Sequence, residues 1–156
     1  MATAEDKIGT VLLVRPCEQD RATLRNILED SRWHVAEVDD CREARAFLTQ
    51  NRVHMVFYNC DEAGADWREF ARQVTEFSPA PLLIAASRLA DEGLWAETLN
   101  MGGYDLLASP LDSNEARRAI FSAWQAWETE RRHRPEFPQK TEHPEPARKF
   151  LKGIRP

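Results

Sequence analysis

The chain has 156 residues, 42% of them apolar, and a formal net charge of −5. This is enough to bury one ordinary core, and no apolar run approaches the roughly eighteen residues of a membrane span. The first nine residues, MATAEDKIG, are acidic and lack the apolar centre of a secretion signal, so a cytoplasmic protein is expected. Residues 1–129 hold 13 Lys and Arg against 22 Asp and Glu, whereas the chain from Glu130 onward holds eight against four. A body this acidic repels phosphate backbones, which argues against nucleic acid as its partner. Three cysteines without CxxC spacing fit reduced thiols better than a disulfide framework or a zinc site.

In chain order, Thr10 to Val14 (TVLLV) reads as a first buried strand, left at Pro16. Glu18, Gln19 and Asp20 bring acids to the start of a helix whose Leu24, Ile27 and Leu28 recur at helical spacing, ending near Asp30. Trp33 to Val38 alternates apolar and polar residues as an edge strand does. Asp39 or Asp40 then caps a helix with Ala44, Phe47 and Leu48 on one face. The stretch from Val53 to Trp67 (VHMVFYNCDEAGADW) organises the rest: Met55 to Tyr58 is apolar, β-branched and aromatic, and gives way to a polar, acidic loop. It reads as a central parallel strand buried on both faces, with Asn59 at the carboxyl end, where ligands of open α/β sheets collect.

Asp66 is placed to cap a third helix carrying Trp67, Phe70, Ala71, Val74 and Phe77, stopped by Pro79. Pro81 to Ala85 is the fourth strand and Ala90 to Met101 the fourth helix, closed by Gly102 and Gly103. Tyr104 to Ala108 is the fifth strand. Beyond Pro110, Ser113 or Asn114 caps a last helix with Ala116, Ile120, Ala123, Trp124 and Trp127 as its core stripe. Five βα units predict one α/β domain over residues 10–132, its parallel sheet covered by helices on both faces through right-handed crossovers. Residues 1–9 form an amino-terminal extension. Residues 133–156 form a Pro-rich basic tail: Arg134 to Pro156 holds five of the nine prolines and is read as disordered. The final ARKFLKGIRP, with Phe150, Leu151 and Ile154 among basic residues, is a candidate docking motif.

From Val11 to about Trp127, and above all in Gly102 to Pro110 (GGYDLLASP), the chain resembles the receiver domain of two-component response regulators. The resemblance implies a doubly wound, flavodoxin-like five-stranded sheet of order 2-1-3-4-5. It also implies a cis peptide between Ser109 and Pro110. The family's chemistry is phosphoryl transfer to an aspartate at the end of the third strand, assisted by Mg²⁺ held on carboxylate oxygens. Here Arg15 and Pro16 stand where the acidic pair would be, Asn59 at the acceptor position, Ala86 at the hydroxyl position and Ser109 at the lysine position. An amide is neither a useful nucleophile nor an anionic ligand, so the site reads as inert, with no catalytic residue, metal or cofactor. Moving Ser87 onto the hydroxyl position would need a register shift that inverts that strand's faces. Asp61 is the best alternative acceptor, and Arg15 could hold the site in one state by pairing with Asp61 or Glu18.

Two other function classes follow from the residues. Cys17, Cys41 and Cys60 each follow a predicted strand and so fall at one sheet edge, as a thiol-based redox or metal sensor would require. His34 and His54 fall at the opposite edge. The strand-end crevice could equally take a small molecule. The reading the sequence favours is a stand-alone pseudo-receiver that is not an enzyme and acts by phosphorylation-independent protein–protein interaction. Its partner is expected to be a signalling protein or a second copy of the chain. The expected contact face is built from the fourth helix, fifth strand and last helix: Trp95 and Leu99 flank the inward stripe of Leu94, Thr98 and Met101, Phe121 is exposed, and Leu106 takes the family's aromatic switch position.

Overall fold

Each strand of the protein is short, and its apolar residues have to be covered on two sides. The computed structural model describes residues 9–63 and 67–133. The strands are β1 (Thr10–Val14), β2 (His34–Val38), β3 (Met55–Asn59), β4 (Leu82–Ser87) and β5 (Asp105–Ala108). They form one parallel sheet of order β2-β1-β3-β4-β5. The helices are α1 (Glu18–Asp30), α2 (Cys41–Gln50), α3 (Cys60–Ala63), α4 (Trp67–Val74), α5 (Glu92–Asn100) and α6 (Ser113–His133). The expected cap Asp66, residues 1–8 and the tail from residue 134 lie outside the described residues.

The period-two alternation of the strands divides the core. Leu13, Phe57, Ile84 and Leu107 face the side covered by Leu24, Ile27 and Leu28 of α1 and Ala116, Ile120 and Ala123 of α6. Leu12, Val56, Tyr58, Leu83 and Leu106 face Ala44 and Leu48 of α2 and Trp67, Phe70, Ala71 and Val74 of α4. β3 is buried at all five positions, as a central strand with helices on both faces must be. The connections reverse direction between β1 and β3, so the crevice of this sheet opens where those two strands end, at Arg15 and Asn59.

Several element ends differ from expectation. The acidic stretch after β3 contains the short helix α3, which begins at Cys60 directly after the strand. β4 runs on to Ser87, α5 begins after the capping Asp91, and Phe77 packs half-buried in the turn after α4. The last helix is capped by Asp112, not by Ser113 or Asn114: its carboxylate accepts from Glu115 N at 2.9 Å while its carbonyl accepts from Ala116 N. An aspartate one residue earlier does the same capping work with a charged acceptor. Two residues past the end of α5, Gly102 turns the chain with a φ of +97°, left-handed territory. Trp33 precedes β2 and turns into the core, edge-on to Trp124 at 5.0 Å, and Trp124 stacks on Trp127. His54 meets both α6 tryptophans and accepts Thr10 N through Nδ1 at 3.1 Å, which fastens α6 to the starts of the strands.

Candidate functional site at the strand ends

The site is built from the loops that follow β1, β3, β4 and β5. Arg15 leaves β1 in a left-handed conformation, φ 49°, unusual for a side chain of its size. Its amide still donates to Val38 O, and its exposed guanidinium donates to the carbonyl of Asp39 at 3.2 Å. This contact reaches toward the end of β2. Pro16 follows and is partly exposed.

Asn59 closes β3, paired in register with Ala86, and both are buried. Its Oδ1 accepts Asp61 N at 2.8 Å, a local side-chain turn that starts α3. Asp61 is engaged in turn. One carboxylate oxygen accepts the Ser87 hydroxyl at 2.8 Å, and the other accepts Arg88 N at 2.8 Å and the Arg88 guanidinium at 3.4 Å. Burial pushes the Asp61 pKa up, but the Arg88 amide, the Ser87 hydroxyl and the Arg88 guanidinium together hold it below the usual carboxylate range. Ser87 reaches Asp61 while Ala86 keeps the position opposite Asn59. It is the last residue of β4, it opposes Ala108, and alternation points it to the face opposite Ala86.

Ser109, in the lysine position, is buried, and the peptide joining it to Pro110 is cis. Its hydroxyl donates to Asp20 at 2.6 Å, and the other oxygen of Asp20 accepts Leu111 N at 2.8 Å. With the serine proton committed, the Cys17 thiol, 3.8 Å away, is the donor of that weaker contact. Asp20 is 2% exposed. Sequence reading took it for an acid at a helix start. The overlooked signal is its place on the same α1 stripe as Leu24, Ile27 and Leu28, where a carboxylate is out of character unless it has a buried partner.

The cysteines do lie at the strand-end edge, but on two faces. Cys17 sits beside Ser109 on the α1 and α6 side, whereas Cys41 and Cys60 are buried in the α2 and α4 core beside Tyr58. Burial, with the neighbouring Asp61 carboxylate, pushes the Cys60 thiol up to about 12. Burial likewise raises the Tyr58 phenol well above its ordinary value, with the Cys60 thiol beside it. These groups are therefore neutral at physiological pH. Among the described residues no three His, Cys, Asp or Glu side chains converge to hold a metal. Nor do the strand-end residues fit a divalent cation: Arg15 and Pro16 supply no anionic oxygen, Asn59 turns its oxygen to a backbone amide, and both Asp61 oxygens already accept.

On the expected contact face, Phe121 is 61% exposed, Trp95 and Leu99 are half-buried, and Leu106 is buried in the core. Trp95, with Leu94 and Met101, packs against the α2 and α4 cluster. Arg68 lies over the Trp67 ring and pairs with Glu97, tying α4 to α5. Among the described residues no helix is long and apolar enough to cross a membrane.

This arrangement of sheet, crevice and cis peptide is the receiver fold, and comparison with solved structures agrees. The chain is similar to the signal receiver domain of an HD domain-containing protein from Pseudomonas fluorescens, with a TM-score of 0.68 and 21% identity over 78% of this chain and 98% of that one. It is similar to a response regulator from Thermotoga maritima, with a TM-score of 0.69 and 20% identity over 75% and 98%. The signal receiver domain of a putative LuxO repressor protein from Vibrio parahaemolyticus superposes with a TM-score of 0.73 at 13% identity, over 82% and 98%. No protein-family model matches the sequence, and no curated protein does.

Proposed function

We propose that the protein is a receiver-like signalling module that is not an enzyme and works by binding another protein without phosphorylation. The observation that carries this reading is that the strand-end crevice is filled by its own hydrogen bonds. Asp20 takes Ser109 and Leu111, Asp61 takes Ser87 and Arg88, and Asn59 takes the Asp61 amide. A phosphoryl acceptor needs a free carboxylate oxygen and a cation to neutralise the transferring group, and among the described residues the strand-end groups named here offer neither. Of the described large apolar side chains, Phe121 and Leu89 are the exposed ones, and exposed apolar surface is where association sites form. The contact face is Phe121 on α6 with Trp95 and Leu99 on α5; Leu106, on the α5 side of the sheet, is an aliphatic core residue without a ring to flip, so the surface is not switched by phosphorylation.

Two measurements test this. Incubation with acetyl phosphate and Mg²⁺ is expected to leave the intact mass unchanged, and an adduct on Asp61 would overturn the inert crevice. Trp95→Ala and Phe121→Ser are expected to weaken binding to the native partner, or self-association, at least tenfold. Unchanged binding by folded variants would remove this face.

A further inference from the structure

From Leu89 to Pro110 the chain carries four acids, Asp91, Glu92, Glu97 and Asp105, and no Lys or Arg. This segment builds α5 and β5. On the outer side of α5 the exposed positions include Gly93, Ala96 and Asn100, and Leu89 just before the helix is 74% exposed. Solvent faces of helices ordinarily carry long polar side chains, so small and apolar residues here leave a shallow strip, with Asp91 and Glu92 at its amino-terminal end and Glu97 committed to Arg68. The last ten residues, ARKFLKGIRP, are its complement: four Lys and Arg, no acid, and the apolar Phe150, Leu151 and Ile154. The outer face of α6 is a poor alternative, because Arg117 and Arg118 are exposed beside Phe121 and would repel a basic segment.

Reach allows the contact. Thirteen residues separate His133, the end of α6, from Ala147. Thirteen residues span up to about 45 Å, more than the roughly 32 Å length of α6 itself. A segment held on such a tether meets its own domain at an effective concentration on the order of millimolar, which favours the same chain over a second copy.

We infer that the carboxyl-terminal segment Ala147 to Pro156 docks on the outer face of α5 in its own chain. Its cations lie along Asp91 and Glu92, and its apolar side chains cover Leu89, Gly93 and Ala96. The docking stands on charge, exposure and reach alone. Only its consequence, that the segment competes with a partner for the flank holding Trp95 and Leu99, rests on the proposed function.

The test uses the full-length chain and backbone amide NMR. Wild type is compared with a tail variant carrying Arg148→Glu, Lys149→Glu, Lys152→Glu and Arg155→Glu, and with a second variant carrying Phe150→Ser, Leu151→Ser and Ile154→Ser. Amide shifts of Leu89, Gly93, Ala96 and Leu99 are expected to differ between wild type and both variants, to move to the variant positions in 0.5 M NaCl, and to be independent of protein concentration. Glu92→Lys in the wild-type background is expected to reproduce them. Identical α5 shifts in all four proteins, or changes confined to the α6 face, would overturn the docking. Changes that vanish on dilution would assign the segment to a second copy and overturn the intramolecular contact. Partner binding by Trp95→Ala is read separately, so failure of the partner face leaves this result standing.

Discussion

The Ser109 hydroxyl donates to the Asp20 carboxylate at 2.6 Å, joining α1 to the loop between β5 and α6 across 89 positions of sequence, with both residues buried. A bond this short to a buried, charged acceptor is of the strong kind. It ties together two walls of the crevice that no strand pairing connects directly.

Removing Asp20 leaves the Ser109 hydroxyl and the Leu111 amide without acceptors, so Asp20→Ala is expected to destabilise the fold by roughly 3 kcal/mol. Ser109→Ala, which leaves Asp20 its bond to Leu111, is expected to cost about half as much. The double variant should cost less than the sum, since both changes remove one shared bond. Urea unfolding of the three variants measures this, and strict additivity would show that the two residues act separately.

Acid should weaken the protein partly through Asp61. Its folded pKa lies below the usual carboxylate range, so its contribution is complete above the unfolded value of about 4 and is lost as pH falls through the folded pKa. Unfolding midpoints measured from pH 6 downward are expected to decline in this window, and to decline less steeply in Asp61→Asn and Ser87→Ala. Equal slopes in wild type and Asp61→Asn would show that other carboxylates carry the effect.

Thiol reactivity separates the three cysteines. Cys17 is partly exposed, whereas Cys41 and Cys60 are buried and burial holds Cys60 protonated to about pH 12. In native protein one thiol should react with a maleimide on the minute scale, and all three only after unfolding. Fast modification of two or three native thiols would reopen the redox-sensor reading.

Packing distinguishes the two phenylalanines that matter most. Phe70 is fully buried between α4 and the sheet, against Tyr58, and Phe70→Ala should cost about 3–5 kcal/mol. Phe121→Ser removes an exposed ring and should stay within about 0.5 kcal/mol of wild type. Thermal or urea unfolding checks both, and a large loss at Phe121 would mean that its ring packs within the fold.

The local terms of the sequence determined the elements. Strands at Thr10–Val14 and around Met55–Asn59, the helix from Glu18 to Asp30, a cap at Asp39 or Asp40, of which the structure uses Asp40, and the exposure of Phe121 all follow from periodicity and capping chemistry, which act over a few residues. The strand order and the cis peptide before Pro110 followed from the receiver resemblance that this pattern of elements supports. The wiring of the crevice was decided only in three dimensions. Asp20 meets Ser109 at a separation of 89 residues, Asp61 meets Ser87 at 26, and Arg15 meets Asp39 at 24. Each of these side chains has more than one plausible acceptor or donor when read along the chain. The choice among them depends on which loop ends the parallel sheet brings together, on the φ at Arg15, and on the need of a buried carboxylate to find donors wherever the fold supplies them.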